Sequence, residues 1–477
     1  MVSIQLNPQP IFRKYVHLYM NHKKALLVAI IISSVLSPFL SSAINVALPQ
    51  ISTELGMTAS ELSWVNMSFL LASAAFLVPL GKIADHLGRK KMFIAGNLVV
   101  LITSVACISV TDTIAFLALR FIQGIGSSMM FVTATAIITS AFPRESRGKY
   151  LGYNVTAVYL GLSAAPVLGG FFIQLFNWHS LFIISIVNSF IVVMLLLIYK
   201  GEDWKESRKQ PFDYIGSIVY IVFMTLLMYG FSHITNFESQ VMATIGAIGI
   251  VGFILYEYRI KYPVFDVKFF GSSRVFAFSN LAALINYAAT FGVGFLLSLY
   301  LQYTRKLSPG ETGAILMVQP VVMAITANIS GRLSDKHESR ILASLGMLFS
   351  ALGIALLFFI TKDTPFTYFY VALSVLGLGF GLFSTPNTHV VMNSVEPARF
   401  GMASASISTM RTSGQMISMG LAALFINWFI GAEKITTLNA TLLVDIMKYV
   451  FGVFFVLSVW GIYLSWARGK SANVESV

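Results

Sequence analysis

Cysteine is almost missing from this chain: Cys107 is the only one in 477 residues, and it stands within an apolar run. No intrachain disulfide can form, and no C-x-x-C metal site exists. Charge is scarce as well, at 11% of residues, where a soluble globular chain carries about a quarter. There is no G-x-x-x-x-G-K-[ST] stretch, so no P-loop ATPase is encoded. There is no H-E-x-x-H and no His/Cys cluster for a metal enzyme. The polar segments are too short to hold a soluble catalytic core. Neither an enzyme nor a cofactor is expected.

What is present is apolar. Hydrophobic residues make up 56% of the chain, and the mean hydropathy is +0.78. They fall into runs near 25–48, 61–81, 92–111, 114–141, 150–173, 179–199, 213–232, 240–258, 276–302, 311–331, 340–361, 366–391, 400–428 and 446–467. A helix needs about 20 apolar residues to cross a bilayer. The expected fold is therefore an all-α polytopic membrane protein with about 14 transmembrane helices.

A net charge of +12 could suggest nucleic acid, but the basic residues sit in short loops between spans, so no nucleic-acid partner is expected. Arg13, Lys14, Lys23 and Lys24 precede the first run. The run is too long for a signal peptide, shows no clear cleavage site and reads as a retained helix. With the N-terminus inside, the inner loops collect Lys82, Arg89, Lys90, Lys91, Lys205, Arg259, Lys261, Arg332, Lys336, Arg399 and Arg468, among others. The outer loops hold only Arg305, Lys306, Lys362, Lys434 and Lys448. The asymmetry predicts a multi-pass cell (plasma or inner) membrane protein with both termini cytoplasmic. The largest inner segments, 200–212 and 259–275, flank the spans at 213–258. They suggest a six-helix half over 1–200, an inserted helix pair over 201–262 and a second six-helix half over 263–477.

The stretch from Gly81 to Lys91 reads G-K-I-A-D-H-L-G-R-K-K. Its glycines suit a tight reversal, and its basic cluster suits the inner face. The spacing of Gly81, Asp85, Gly88 and Arg89 resembles the loop 2–3 signature of the major facilitator superfamily. Gly331, Arg332 and Asp335 follow the tenth span much as Gly81, Lys82 and Asp85 follow the second. This echo fits the two-half construction of secondary transporters; chance likeness between two short polar loops is the alternative.

In the fourth span, Arg120 stands about a turn and a half inside an apolar helix, with Gln123, Gly124 and Ser127 at helical spacing. A guanidinium there costs several kcal/mol. The pattern is similar to the superfamily's R-x-x-x-G, which implies a coupling role; the alternative is an Arg that snorkels to the interface. The fifth span reads G-L-S-A-A-P-V-L-G-G, from Gly161 through Ala165 and Pro166 to Gly169 and Gly170. It resembles the antiporter signature G-x-x-x-G-P-x-x-G-G, with Ala165 at the second glycine, and implies a kinked helix that seals the path. Plain small-residue packing is the alternative. Trp178 and His179 are like the W-R of fourteen-helix drug:proton antiporters, with His179 replacing Arg.

The first span ends I-N-V-A-L-P, as in the same branch, but Leu40 stands where that branch carries Asp, and Ser42 stands at its Thr position. No other deep carboxylate replaces it. Glu61, Glu311, Asp213 and Asp445 sit at span ends, Glu257 is close to an inner end, and Asp85 is in a loop. His389 could titrate near neutral pH, although its place near Pro386 and a helix end suits a structural role. Arg411 and Gln415 lie one turn apart in the thirteenth span, and M-R-T-S-G-Q resembles the R-x-x-G of this branch. Asn45, Trp64, Asn154, Asn286, Tyr300, Gln319 and Asn387 join Gln415 as candidates to line an amphipathic pocket; helix–helix hydrogen bonds are the alternative for each.

The resemblance as a whole implies a multidrug-type secondary transporter, in which Asp85, Arg89 and Asp335 gate and Arg120, Gln123, Gly124 and Arg411 couple. Its partners would be a hydrophobic or amphipathic small molecule, protons and the bilayer, and it would act as a monomer. The alternatives are a lipid or amphiphile flippase, an uncoupled facilitator, or a membrane sensor or scaffold that transports nothing.

Overall fold

In a computed structural model of the chain, the structure describes residues 9–143, 147–199, 201, 203–205, 212–261, 263–334, 337–396, 400–431, 433–436 and 440–469. Asp335, expected as a gating residue, lies outside them. Among the described residues there is helix and no strand. In chain order the helices are α1 Gln9–Leu55, α2 Ala59–Leu87, α3 Arg89–Ser109, α4 Thr113–Ala141, α5 Arg147–Phe176, α6 His179–Ile198, α7 Tyr214–Ser232 and α8 Phe237–Arg259. They continue with α9 Val267–Ser272, α10 Arg274–Leu299, α11 Pro309–Leu316, α12 Val318–Ser334, α13 Ser339–Phe358, α14 Phe366–Asn393, α15 Phe400–Phe429 and α16 Ala440–Ala467. A π-helical turn, Tyr300–Thr304, closes α10.

Several of the carboxylates at span ends are helix caps. Thr58 and Glu61 form a capping box at the start of α2, and Ser308 and Glu311 form another at α11, where Pro309 takes the first turn. Asp112 accepts from Ala115 N at 2.7 Å, and Asp213 accepts from Gly216 N at 2.9 Å. Each satisfies an amide that the helix itself leaves unpaired.

Among the described residues, thirteen segments are long and apolar enough to cross a membrane, with α10 and its π-turn, and likewise α11 with α12, each counting as one. The one expected span not among them, the thirteenth in chain order, is α15, 30 residues long. It is longer than many of the others but rich in Ser, Thr and Gly, and it carries Arg411 and Gln415. Its polarity follows from its position against the central cavities rather than against lipid.

Helices α1 to α6 pack on one another, mainly as α1 with α5 and α6, α4 with α2 and α3, and α3 with α6. A second set is built from α10 on α15 and α16, α14 on α12 and α13, and α13 on α16. The sets meet through α2 against α15, α5 against α11, and α1 against α10. Helices α7 and α8 pair with each other, and α7 touches both α2 and α15 at that seam. Ile245, Ile248, Val251 and Leu255 of α8 are exposed, as suits a surface in contact with lipid chains.

Candidate transport path

Three cavities lie along the contact between the two sets. The largest of the three, about 670 Å³, is at the basic face, the end of the molecule where α2 turns at Gly88 into α3. Gly81, Asp85 and Arg89 line one side; Val264, Phe265, Asp266, Phe269 and the start of α15 line the other. Deeper in, a cavity of about 100 Å³ is lined by Ser42, Asn45, Pro166, Tyr287, Gln319 and Gln415, among others. Beside it a cleft of about 40 Å³ holds Ser37, Ser41, Phe131, Arg411 and Gln415.

The opposite face is closed. Ser298 donates to Asn45 O at 2.8 Å, Gln302 donates to Val46 O at 3.1 Å, and Ala59 N donates to Glu433 O at 2.8 Å. The small residues of α5 account for its tightest contacts. A Cβ on Gly161 would lie 2.4 Å from Val35 O, and one on Gly170 would lie 2.5 Å from Pro309 O. From the other side, a Cβ on Gly313 would lie 2.2 Å from Pro166 O. Gly169 meets Ala43, and Ala165 is fully buried. Helix α5 is thus seated on α1 and on α11 at once, with Pro166 at the cavity wall.

Arg120 is 0% exposed, which rules out snorkelling. Its Nε donates to Val65 O at 3.2 Å, a terminal nitrogen donates to Gln123 Oε1 at 2.5 Å, and the group lies 4.6 Å from the centre of the Phe69 ring. The other terminal nitrogen has no hydrogen-bond partner. Gln123 in turn donates to Ser104 at 2.8 Å, and Gly124 lets α2 approach at Phe69. Arg411 lies 4.3 Å from the centre of Phe131. It reaches the hydroxyl of Tyr287, which also meets Tyr159, and Tyr159 bonds Ser384 across the two sets. Sequence reading singled out neither Tyr159, Tyr287 nor Phe131. Their only signal is polar or aromatic character within a span, which dozens of other residues share.

At the basic face, Arg89 Nε donates to Asp85 at 2.8 Å and the pair closes to 2.7 Å. Arg89 also donates to Ala136 O and Ser140 of α4. Gly88 has φ +116, a conformation that side chains disfavour. A second reason for glycine is Asp203: a Cβ on Gly88 would lie 2.1 Å from its carboxylate. Asp203 accepts from Lys90 N at 2.8 Å and Lys91 N at 3.4 Å, and so caps α3 where the helix dipole favours an anion. No local sequence pattern marks this partner.

Of the pocket candidates, Asn45, Gln319 and Gln415 face the central cavities. The others line none of the three cavities. Trp64 stacks on His233 and leans on Tyr229 of α7. Asn154 accepts from Ser34 of α1 at 2.5 Å. Tyr300 donates to Thr361 O at 2.7 Å. Asn286 is buried with neither amide atom bonded. Asn387 accepts from Arg468 at 2.8 Å. Arg468, a second buried guanidinium, also holds Ser279 and Ser339 O. Burial and the neighbouring Arg340 push its pKa down to about 10. His389 is exposed beside Asn393, away from every cavity described.

The family profile of the Major Facilitator Superfamily matches residues 30–260 and 280–474. The chain belongs to this superfamily, a family of membrane transporters that move small molecules across the bilayer. It is 27% identical over 420 residues to the riboflavin transporter RibZ of Clostridioides difficile, covering 87% of this chain and 90% of that protein. It is 28% identical over 385 residues to the multidrug resistance protein Stp of Mycobacterium tuberculosis, covering 79% and 71%. A solved D-xylose-proton symporter shares the fold, with a TM-score of 0.69 at 12% identity over 96% of this chain and 100% of that one. The family resemblance drawn from the loop and helix motifs is borne out.

Proposed function

We propose that this protein is a multidrug-type exporter that moves an amphipathic small molecule out of the cytoplasm by alternating access, in exchange for protons. The observation that carries the reading is the large cavity at the basic face, with the opposite face closed along α1–α10 and α5–α11. That is one of the two facing states an exporter needs. In this reading the basic face is cytoplasmic and the membrane is the cell membrane. Residues 1–200 and 263–477 rock against each other as two halves, and 201–262 is an inserted pair. Asp85 and Arg89 act as an inner latch, and Arg120 with Gln123 and Gly124, together with Arg411, ties charge movement to the rocking. Asn45, Gln319 and Gln415 contact the substrate. The names of the two relatives support amphipathic aromatic or drug-like cargo.

One observation favours a second reading, an uncoupled facilitator or flippase. Leu40 stands where the resembling branch has an acid, and neither central cavity has a carboxylate among its lining residues. The deciding experiment is efflux from proteoliposomes under an imposed pH gradient, with internal pH followed at the same time. The cargo panel would hold riboflavin and neutral, anionic and cationic fluorescent amphiphiles. Substrate and protons moving oppositely and in step support the antiporter. Substrate flux that ignores the gradient supports the second reading. No flux of any cargo leaves neither.

A further inference from the structure

The inserted helix pair holds a proton-shaped gap. Glu257, near the basic-face end of α8, is only 1% exposed. Its Oε2 accepts from Phe265 N at 2.9 Å, but its Oε1 has no hydrogen-bond partner. Asp213, the cap of α7, accepts with Oδ1 from Gly216 N at 2.9 Å and from the Tyr256 hydroxyl at 3.2 Å. Its Oδ2 is also buried without a partner. The two orphan oxygens face each other across the space left by Gly216: a Cβ there would lie 2.1 Å from Asp213 Oδ2 and 2.4 Å from Glu257 Oε1. Both orphan oxygens thus border the same small buried volume, and no donor among the described residues enters it. Ionised carboxylates only accept hydrogen bonds, and two of them side by side in a buried place cannot both stay charged. One proton between these oxygens satisfies both.

We infer that Asp213 and Glu257 form a proton-binding site, one that takes up a single proton and releases it toward the cavity at the basic face. The site abuts that cavity through Val264 and Phe265, whose backbone holds Glu257 and which form part of the cavity wall. With the proton bound, the pair carries one negative charge and clasps α7 to α8 and to this wall. Without it, two negative charges repel and the clasp loosens. Tyr256 is the further titratable group that meets the pair. The charged groups on the surrounding walls are Lys261 and Asp266 beside it and Lys82, Asp85 and Arg89 across the cavity. The inference rests on the transport reading for its use of the proton, but not for the binding of it.

The test is infrared spectroscopy of the purified full-length protein in lipid across a pH titration, with Asp213→Asn and Glu257→Gln. Asn at 213 keeps the helix cap and offers Glu257 a permanent N–H donor in place of the proton. We expect wild type to show a protonated-carboxyl band that persists well above the ordinary carboxylate range. Asp213→Asn should lose the band and keep its thermal stability, and its efflux should no longer respond to a pH gradient. A wild type without the band, or a band unchanged in both variants, overturns the site. The band needs no cargo to be seen. If it is present and no cargo moves, the proton site stands and the exporter reading fails; if cargo and protons exchange with no such band, the site alone fails.

Discussion

The Asp203 carboxylate accepts from the backbone amide of Lys90, 113 residues away in sequence, and occupies the space a side chain on Gly88 would need. The α2–α3 junction that carries the family motif is thereby pinned by the segment that follows α6. Asp203→Ala removes a helix cap and should cost about 1 kcal/mol. Gly88→Ala adds a disfavoured backbone conformation to the same loss and should cost more, about 1–3 kcal/mol. Thermal melting of both variants checks the order; Gly88→Ala melting as high as wild type would contradict it.

Asp85→Asn should separate gating from stability. The Arg89–Asp85 pair is about a quarter exposed on each side, at 24% and 26%, so its loss should change stability by less than about 1 kcal/mol. Flux should nevertheless fall several-fold at matched expression, since a latch acts on the balance between facing states. Normal flux would remove the latch role.

Arg120 is buried without an acid among its contacts, and such a charge is a net cost to folding. Replacing it with an apolar side chain of similar length, Arg120→Met, should hold or raise the melting temperature. Transport should be abolished in the same variant. A sharp drop in stability with flux retained would show that the guanidinium serves packing alone.

The closed face rests on contacts too tight for any side chain. Gly313→Leu should force α11 away from Pro166 and open that face. The lone native Cys107 is buried, so the labelling background is low. A cysteine placed at Ser42, in the central cavity, should react with a membrane-impermeant maleimide from the closed side roughly tenfold faster in the Gly313→Leu background, a shift of about 1.4 kcal/mol between facing states. Equal rates would mean that α5 and α11 are not the seal.

Asn286 carries two buried amide atoms without partners, and such atoms cost about 1–3 kcal/mol. Asn286→Leu should therefore raise stability. If cargo binding weakens in the same variant, the amide is kept for a ligand; unchanged binding would place Asn286 outside the substrate path.

Much of this architecture can be read from the sequence, because bilayer thickness imposes a length on every span and loop charge imposes a direction. The thirteenth span shows where the rule thins: α15 is polar because Arg411 and Gln415 face the centre of the protein. Gly88 and Asp85 were legible through local spacing. Their partner Asp203 was not, because a cap supplied from a distant segment leaves no local pattern. The asparagines divide in the same way. Asn45 faces the cavity, while Asn154 and Asn387 hold neighbouring helices. An amide in the middle of a span looks the same in either role until its neighbours are known.

Among the described residues, Arg411 is the one charged residue lining the two central cavities, and it is positive. A cationic guest held about 4 Å from that charge meets a repulsion of about 4 kcal/mol at an effective dielectric of about 20, which disfavours it roughly a thousandfold. Under the proposed exporter reading, the cavity is expected to sort by formal charge before it sorts by shape. Neutral and anionic molecules with polarisable faces should then be moved in preference to permanently charged cations.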